Sequence, residues 1–218
     1  GGGAAIREFR RRGIRKLTFV GAIGHPKLSD LRPDFWTIGA LISIKRHQKG
    51  YDSMAVALNK VLEKRGFEIV AAQDLAPDLT FQTPGVQTRA RPAARDAADI
   101  ERAIAVSHTI GREDIGASVV VDKQVIGVEA AEGTANMLRR VVDMRRDLNK
   151  SSGVFAKMTK PGQDLRIDIP AIGVDTVRAV AAAHLRGIVV NAKTCFVVDK
   201  PAVIKAANDA KIFIVAME

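Results

Sequence analysis

The sequence predicts an α/β protein. Three observations predict it. Hydrophobic residues make up 47% of the chain and aromatics only 5%, so the core must be built from alanine, valine and isoleucine. β-Branched residues favour strands and alanine favours helices. Short apolar runs such as KLTFV at 16–20 alternate with longer segments whose apolar residues recur at helical spacing. A chain of 218 residues is long enough for one large or two small domains.

The elements follow in order. Gly1-Gly2-Gly3 leads into a basic helix, AAIREFRRRG. Lys16 to Val20 reads as a buried strand ending at GAIGHP, a loop of the kind that gathers ligands at the carboxyl edge of a parallel sheet. Leu31 to Asp34 is a turn, and Phe35 to Arg46 is apolar enough for a helix packed on both sides. Lys49-Gly50 breaks the pattern, and the domain boundary is placed there, giving domains 1–49 and 50–218. Asp52 or Ser53 caps a helix carrying Met54, Val56, Leu58, Val61 and Leu62, and Arg65-Gly66 stops it. Phe67 to Ala72 is a strand. Residues 80–94, with two prolines and a glycine, are expected to form a mobile loop.

An amphipathic helix is expected over 96–110, then a hairpin of 118–121 and 125–130 turning at Lys123-Gln124. Thr134 is the expected cap of a helix bearing Met137, Leu138, Val141 and Val142. Gly153 to Met158 is a strand, and Asp175 is the expected cap of a helix through Leu185. Strands at 188–190 and 196–198 follow, then a helix with Pro201 in its first turn, where a missing N–H is tolerated. Residues 212–217 close the chain as a strand.

Composition narrows the function. The formal charge is +10, which suits nucleic acid, an anionic membrane surface or an anionic small substrate. Nucleic-acid binding would call for aromatics interleaved with the arginines or a recognisable module, and neither is present. The lone Cys195 excludes an internal disulfide and sits in an apolar run that reads as a buried strand. The four histidines are scattered without metal-ligand spacing. The longest strongly apolar stretch, 35–44, is too short to span a bilayer. A soluble, cytoplasmic chain is expected, at most peripheral to a membrane.

The densest chemistry lies in KMTKPGQDLRIDIPAIGVD at 157–175. It sets Lys160, Arg166 and three carboxylates among Pro161, Gly162, Pro170 and Gly173. Rigid stretches of mixed charge make poor core and suit a cation and an anionic group held side by side. The pattern KPGQDxRxDxPxxG, VEAAEGT at 128–134, REDIG at 112–116 and FVVDKPAVIKAAND at 196–209 together resemble the UDP-2,3-diacylglucosamine pyrophosphatase family of lipid A biosynthesis. The resemblance also takes in 20–34 and 66–79, and so covers most of the chain.

The resemblance implies a Rossmann-like N-terminal domain joined to an α/β C-terminal domain. In the family a strand and glycine-rich turn precede the first helix, so Gly1–Gly3 is read as the remnant of that turn and the N-terminal domain as incomplete. It implies hydrolysis of UDP-2,3-diacylglucosamine to UMP and 2,3-diacylglucosamine 1-phosphate (lipid X), with Mg2+, by water attack at the phosphorus on the sugar side. It also implies a homodimer with peripheral contact to the inner membrane and no nucleic-acid partner.

Mg2+ prefers a few carboxylates together with substrate oxygens and water, which makes Glu132, Asp164 and Asp168 the metal candidates. Asp164 and Asp168 are also the catalytic candidates, with position 135. Lys160, Gln163, Arg166, Gly133 and Thr134 are the substrate-binding candidates, the last two because a helix N-terminus attracts anions. Two positions depart from the family. Ala117 stands where glutamine is usual, and Ala135 where aspartate is usual. Alanine at 135 can neither bind metal nor activate water, so impaired turnover or a non-catalytic lipid- or nucleotide-binding protein is the competing reading.

Overall fold

In a computed structural model, residues 2–21, 59–146 and 151–218 are described. The expectations for GAIGHP, for 31–46 and for the helix start at 52–53 lie outside them. The chain forms two compact bodies. The first is Gly1–Leu75 with Asp164–Asp168, and the second is Ala76–Gln163 with Ile169–Glu218. The boundary therefore falls at 75–76 rather than at the expected 49–50. The reason is a strand pairing, since β1 (Lys16–Leu17) lies parallel to β2 (Glu68–Ile69) and binds residues up to Ile69 into the N-terminal body.

In that body α1 (Gly2–Arg11) starts within the glycines. Its Ile6 is buried with Leu62, Phe67 and Ile69, and Phe9 meets Phe67 edge to face at 6.2 Å. β1 is shorter than expected and only half-buried, with Leu17 and Phe19 turned to this small core and Lys16 outward. The helical residues 59–63 end as the sequence predicted, at Gly66. Its φ of +85° lets its amide reach the Glu63 carbonyl at 2.9 Å and that of Phe67 reach Leu62 at 3.2 Å. A short α2 (Ala72–Leu75) ends the segment.

The second body is a six-stranded mixed sheet in the order β3-β10-β8-β6-β4-β5. Its strands are β3 (Gly85–Val86), β4 (Ala117–Val121), β5 (Gln124–Val128), β6 (Val154–Lys157), β8 (Gly187–Asn191) and β10 (Phe213–Met217). β6, β8 and β10 are parallel, and β3 and β4 flank them antiparallel. Strand alternation sorts the side chains. Val119, Phe155, Ile188, Val190 and Ile214 face one core, where α4 (Gly133–Arg145), α5 (Val174–Ala182) and α6 (Lys200–Asp209) supply Met137, Leu138, Val177, Val180 and Val203. Val120, Val154, Ala156, Val189 and Phe213 face the other, covered by the long α3 (Ala94–Gly111) through Ile100, Ala103 and Ile104. A second, two-stranded parallel sheet pairs β7 (Ala171–Ile172) with β9 (Phe196–Val197).

Three local expectations are corrected. Residues 80–94 are tied to the sheet at several points instead of forming a structureless loop. Thr80 and Phe81 are buried, β3 pairs with β10, and the Thr88 hydroxyl accepts from the Ile214 amide at 3.0 Å. The hairpin turns one residue early, at Asp122-Lys123. Both take left-handed φ, 47° and 64°, and donate their amides to the Asp99 carboxylate at 3.1 and 2.6 Å. Asp175 does not cap α5. The cap position is Gly173, and Asp175 is exposed in the first turn beside Arg178 at 3.0 Å.

Asp96, in the first turn of α3, accepts from the Ala93 amide at 2.7 Å and from Arg186 at 2.8 and 3.0 Å. Its side chain is 3% exposed and that of Arg186 23%. Burial opposes its ionisation, yet the Arg186 bonds and the Ala93 amide outweigh it and hold the carboxyl below its usual range. Asp96→Asn should therefore cost about 2–3 kcal/mol, less than a fully buried pair because Arg186 is partly wet. Because the folded pKa is depressed, the contribution is complete above about pH 4 and lost as pH falls through the folded value. Urea titrations from pH 7 downward should show the two proteins converging below pH 4.

Candidate active site

Parallel strands deliver their last residues to one edge. β5 runs antiparallel to β4 and β4 antiparallel to β6, so β5 shares that direction. The carboxyl edge of the second body therefore collects Glu129 after β5, Lys157 to Lys160 after β6, and Asn191 to Thr194 after β8. Such edges are where α/β sheets bind ligands.

Polar side chains there are tied into two groups. The Thr134 hydroxyl donates to Glu129 Oε1 at 2.8 Å and accepts from Lys157 Nζ, which lies 3.8 Å from Glu129 Oε2. The Lys157 and Glu129 side chains are only 17% and 19% exposed, so the pair is largely shielded from water. In the second group the Thr159 amide donates to Asn191 Oδ1 at 2.8 Å, and the Thr159 and Thr194 hydroxyls meet at 2.8 Å. Thr134 thus braces the first turn of α4 against a strand end instead of capping it, and the residue before that turn is Glu132.

The candidate residues of the sequence reading divide between the bodies. In the second, Lys160 forms an ion pair with Asp114, so the KPG turn and the REDIG segment meet. A Cβ on Gly111 would lie 2.7 Å from Pro161 Cδ and 3.4 Å from Lys160 Cα, so only glycine admits this approach. Gln163 folds back, its Oε1 accepting from the Lys160 amide at 2.9 Å. Gly133, with φ +78°, opens α4. Glu132 is held by Arg140 at 2.7 Å, which draws its carboxyl below the usual range. Ala135 is exposed in the first turn of α4.

In the first body the Asp164 carboxylate takes Arg166 Nε at 2.9 Å, Nη2 at 2.7 Å and the Arg166 amide at 3.1 Å. The guanidinium beside it lowers the Asp164 pKa, and the carboxylate raises that of Arg166. Arg166 also reaches Glu63 at 2.9 Å. The Asp168 amide closes a turn onto the Asp164 carbonyl at 3.1 Å. Among the described residues no three His, Cys, Asp or Glu side chains are gathered as a metal-holding group.

Sequence reasoning missed Glu129, Lys157, Thr159, Asn191 and Thr194. Their signal was position, since each sits at or just beyond the end of an apolar run, where a parallel sheet exposes polar groups. Cys195 is fully buried just before β9 instead of within a strand, and burial pushes its thiol up to about 12 despite the nearby Lys157.

Fold and site together define a two-domain α/β protein whose C-terminal sheet presents a lysine- and threonine-lined carboxyl edge. Comparison with known proteins specifies it further. The LpxI N-terminal domain matches residues 2–79 and the LpxI C-terminal domain residues 83–215. A relative from Caulobacter vibrioides, named UDP-2,3-diacylglucosamine pyrophosphatase LpxI, is 38% identical over 222 residues, covering 99% of this chain and 79% of the relative. The chain belongs to the LpxI family.

Two outcomes are expected. Gly111→Ala should displace the Lys160-Pro161 turn and cost about 1–3 kcal/mol by overpacking, read as a lower urea midpoint with unchanged slope. Cys195 should resist alkylation at pH 8 in the folded protein and label stoichiometrically once denatured, because only the thiolate reacts. Equal rates in both states would contradict its burial.

Proposed function

We propose that the chain hydrolyses the diphosphate of UDP-2,3-diacylglucosamine, giving UMP and 2,3-diacylglucosamine 1-phosphate. One observation carries the reading: the match across 99% of the chain to a relative named for that substrate. Water oxygen bonds to the sugar-side phosphorus, the bond from that phosphorus to the bridging oxygen breaks, and the bridging oxygen leaves on UMP. Groups that hold the developing charge contribute most to such a step. Lys157 and Lys160 supply ammonium donors, and the first-turn amides of α4 at Gly133 and Thr134 favour an anion. Gln163, in the same body, joins that substrate-binding set, and the sequence reading separately proposes Arg166 for substrate binding and Asp164 and Asp168 for catalysis.

Magnesium is the cofactor that the resemblance implies. The described residues do not fit a ready-made cage for it, because Arg140 holds Glu132 and Arg166 holds Asp164. Mg2+ commonly keeps most of its ligands as water and substrate phosphate oxygens, and no step here is routed through it. The proposal extends to a cytoplasmic homodimer in peripheral contact with the inner membrane. The exposed Arg7 and Arg10 of the N-terminal helix, and Arg12 just after it, would each add about 1 kcal/mol of attraction to anionic lipid. Among the described residues no helix is long and apolar enough to cross a membrane.

Ala135 favours a second reading, binding without turnover. Its methyl group offers no acid or base in the first turn of α4, beside Thr134. The test is UMP release with and without Mg2+, for this chain and for Ala135→Asp. The variant should be at least about 100-fold faster, the usual worth of a positioned acid–base group. Folded proteins that both fail to release UMP would refute the hydrolase reading, and intact substrate found bound would then establish the carrier.

A further inference from the structure

At the opposite edge of the sheet, where the parallel strands begin, lies a cavity of about 570 Å3 lined by Arg95, Asp96, Asp99, Asp122, Arg145, Ser151, Ser152, Gly153 and Arg186. It belongs wholly to the second body and is remote in topology from the carboxyl edge. Arg145 is the most deeply bonded of its arginines. That residue is 5% exposed, yet none of its hydrogen bonds goes to a carboxylate. Nε donates to the Ala183 carbonyl at 2.8 Å, and Nη2 donates to Ser152 O and Oγ at 3.1 Å and to His184 O at 3.2 Å. Among the described residues Nη1 has no acceptor, so two N–H groups of a buried guanidinium that lines the cavity are left without a partner.

Two of the three carboxylates nearby are committed by hydrogen bonds, while Asp122 and Asp99 both act on Arg145 through their charge. Asp96 is bound by Arg186 and the Ala93 amide, and Asp99 by the Asp122 and Lys123 amides. Asp122 is exposed. Arg95 makes no hydrogen bond or ion pair among the described residues and reaches the same cavity from the first turn of α3. Three arginines and three aspartates balance in net charge. Selection must therefore come from directional donors, and a guanidinium with open N–H groups presents the geometry that phosphate and carboxylate oxygens match.

We propose that this cavity binds a small oxyanion of phosphate type, held by Arg145 Nη1 and Arg95 with the Ser151 hydroxyl at its rim. Arg145 joins this site to the fold, since the same guanidinium satisfies carbonyls at the end of α5. A bound oxyanion would complete the donors that α5 leaves unused. The site is separate from the proposed diphosphate site and stands or falls without it.

The test follows backbone amide NMR shifts of the full chain during titration with inorganic phosphate at constant ionic strength, with chloride as control. Saturable shifts at Ser151, Ser152 and Gly153 are expected. Arg95→Ala should weaken that midpoint about 10-fold and leave any phosphate response at Thr134 unchanged. Arg145→Lys, which keeps the charge and loses the fork, should weaken it similarly. If Arg145→Lys fails to fold, Arg95→Ala decides alone. Absent or unsaturable shifts at 151–153, a midpoint that Arg95→Ala does not move, or a response confined to the carboxyl edge would each overturn the proposal.

Discussion

In the β6–β8–β10 trio every strand points the same way, so every strand ends at the same edge. That constraint arranges the second body. Parallel neighbours cannot be joined by tight turns, and the chain must cross over through α5 and α6, which lie on one face. The helix of the other face, α3, then runs back to the carboxyl edge and ends against the KPG turn through Gly111. Lysines, threonines and an asparagine gather at that edge because each follows a strand whose interior positions are apolar. At the amino edge the same geometry gathers the beginnings of β6 and β8 with the end of α4, and there the arginines collect.

Much of this was legible in the sequence because periodicity reports burial. Val119 to Val121, Phe155 and Val189 announced strands, and Met137, Leu138 and Val141 announced a helix face. Caps were less legible. Thr134 and Asp175 carry the right side chains for capping, but each lies inside the first turn, where Lys157 from a distant strand claims Thr134 and Arg178, one turn along the same helix, claims Asp175. The loop at 80–94 misled because its prolines and glycine describe local turns, while what ties it to the sheet is β10, more than a hundred residues away. Boundary placement failed for the same reason. The β1–β2 pairing that joins residues 16–17 to 68–69 is invisible to any local pattern.

The site was legible as chemistry and illegible as geometry. The signature loop announced lysine, arginine and carboxylates together. It did not announce that Asp114 would meet Lys160, or that Glu129, Thr134 and Lys157 would form one group, since those contacts join segments 23 to 46 residues apart. The residues of the loop are divided between the two bodies. Lys160 and Gln163 belong to the second, and Asp164 and Arg166 pack with Glu63 in the first.

Nearly every charged group of the motif meets an opposite charge: Lys157 with Glu129, Lys160 with Asp114, Glu132 with Arg140, Asp164 with Arg166. This has a physical consequence. The Lys160 side chain is only 12% exposed, and the Asp114 carboxylate balances its charge within the fold. A phosphate oxygen arriving at such a lysine then replaces one anion with another, so little desolvation remains to oppose the exchange. Ala135 is exposed in the first turn of α4 and takes no part in the Lys157–Thr134–Glu129 brace, which holds that turn to the end of β6 through the Thr134 hydroxyl alone.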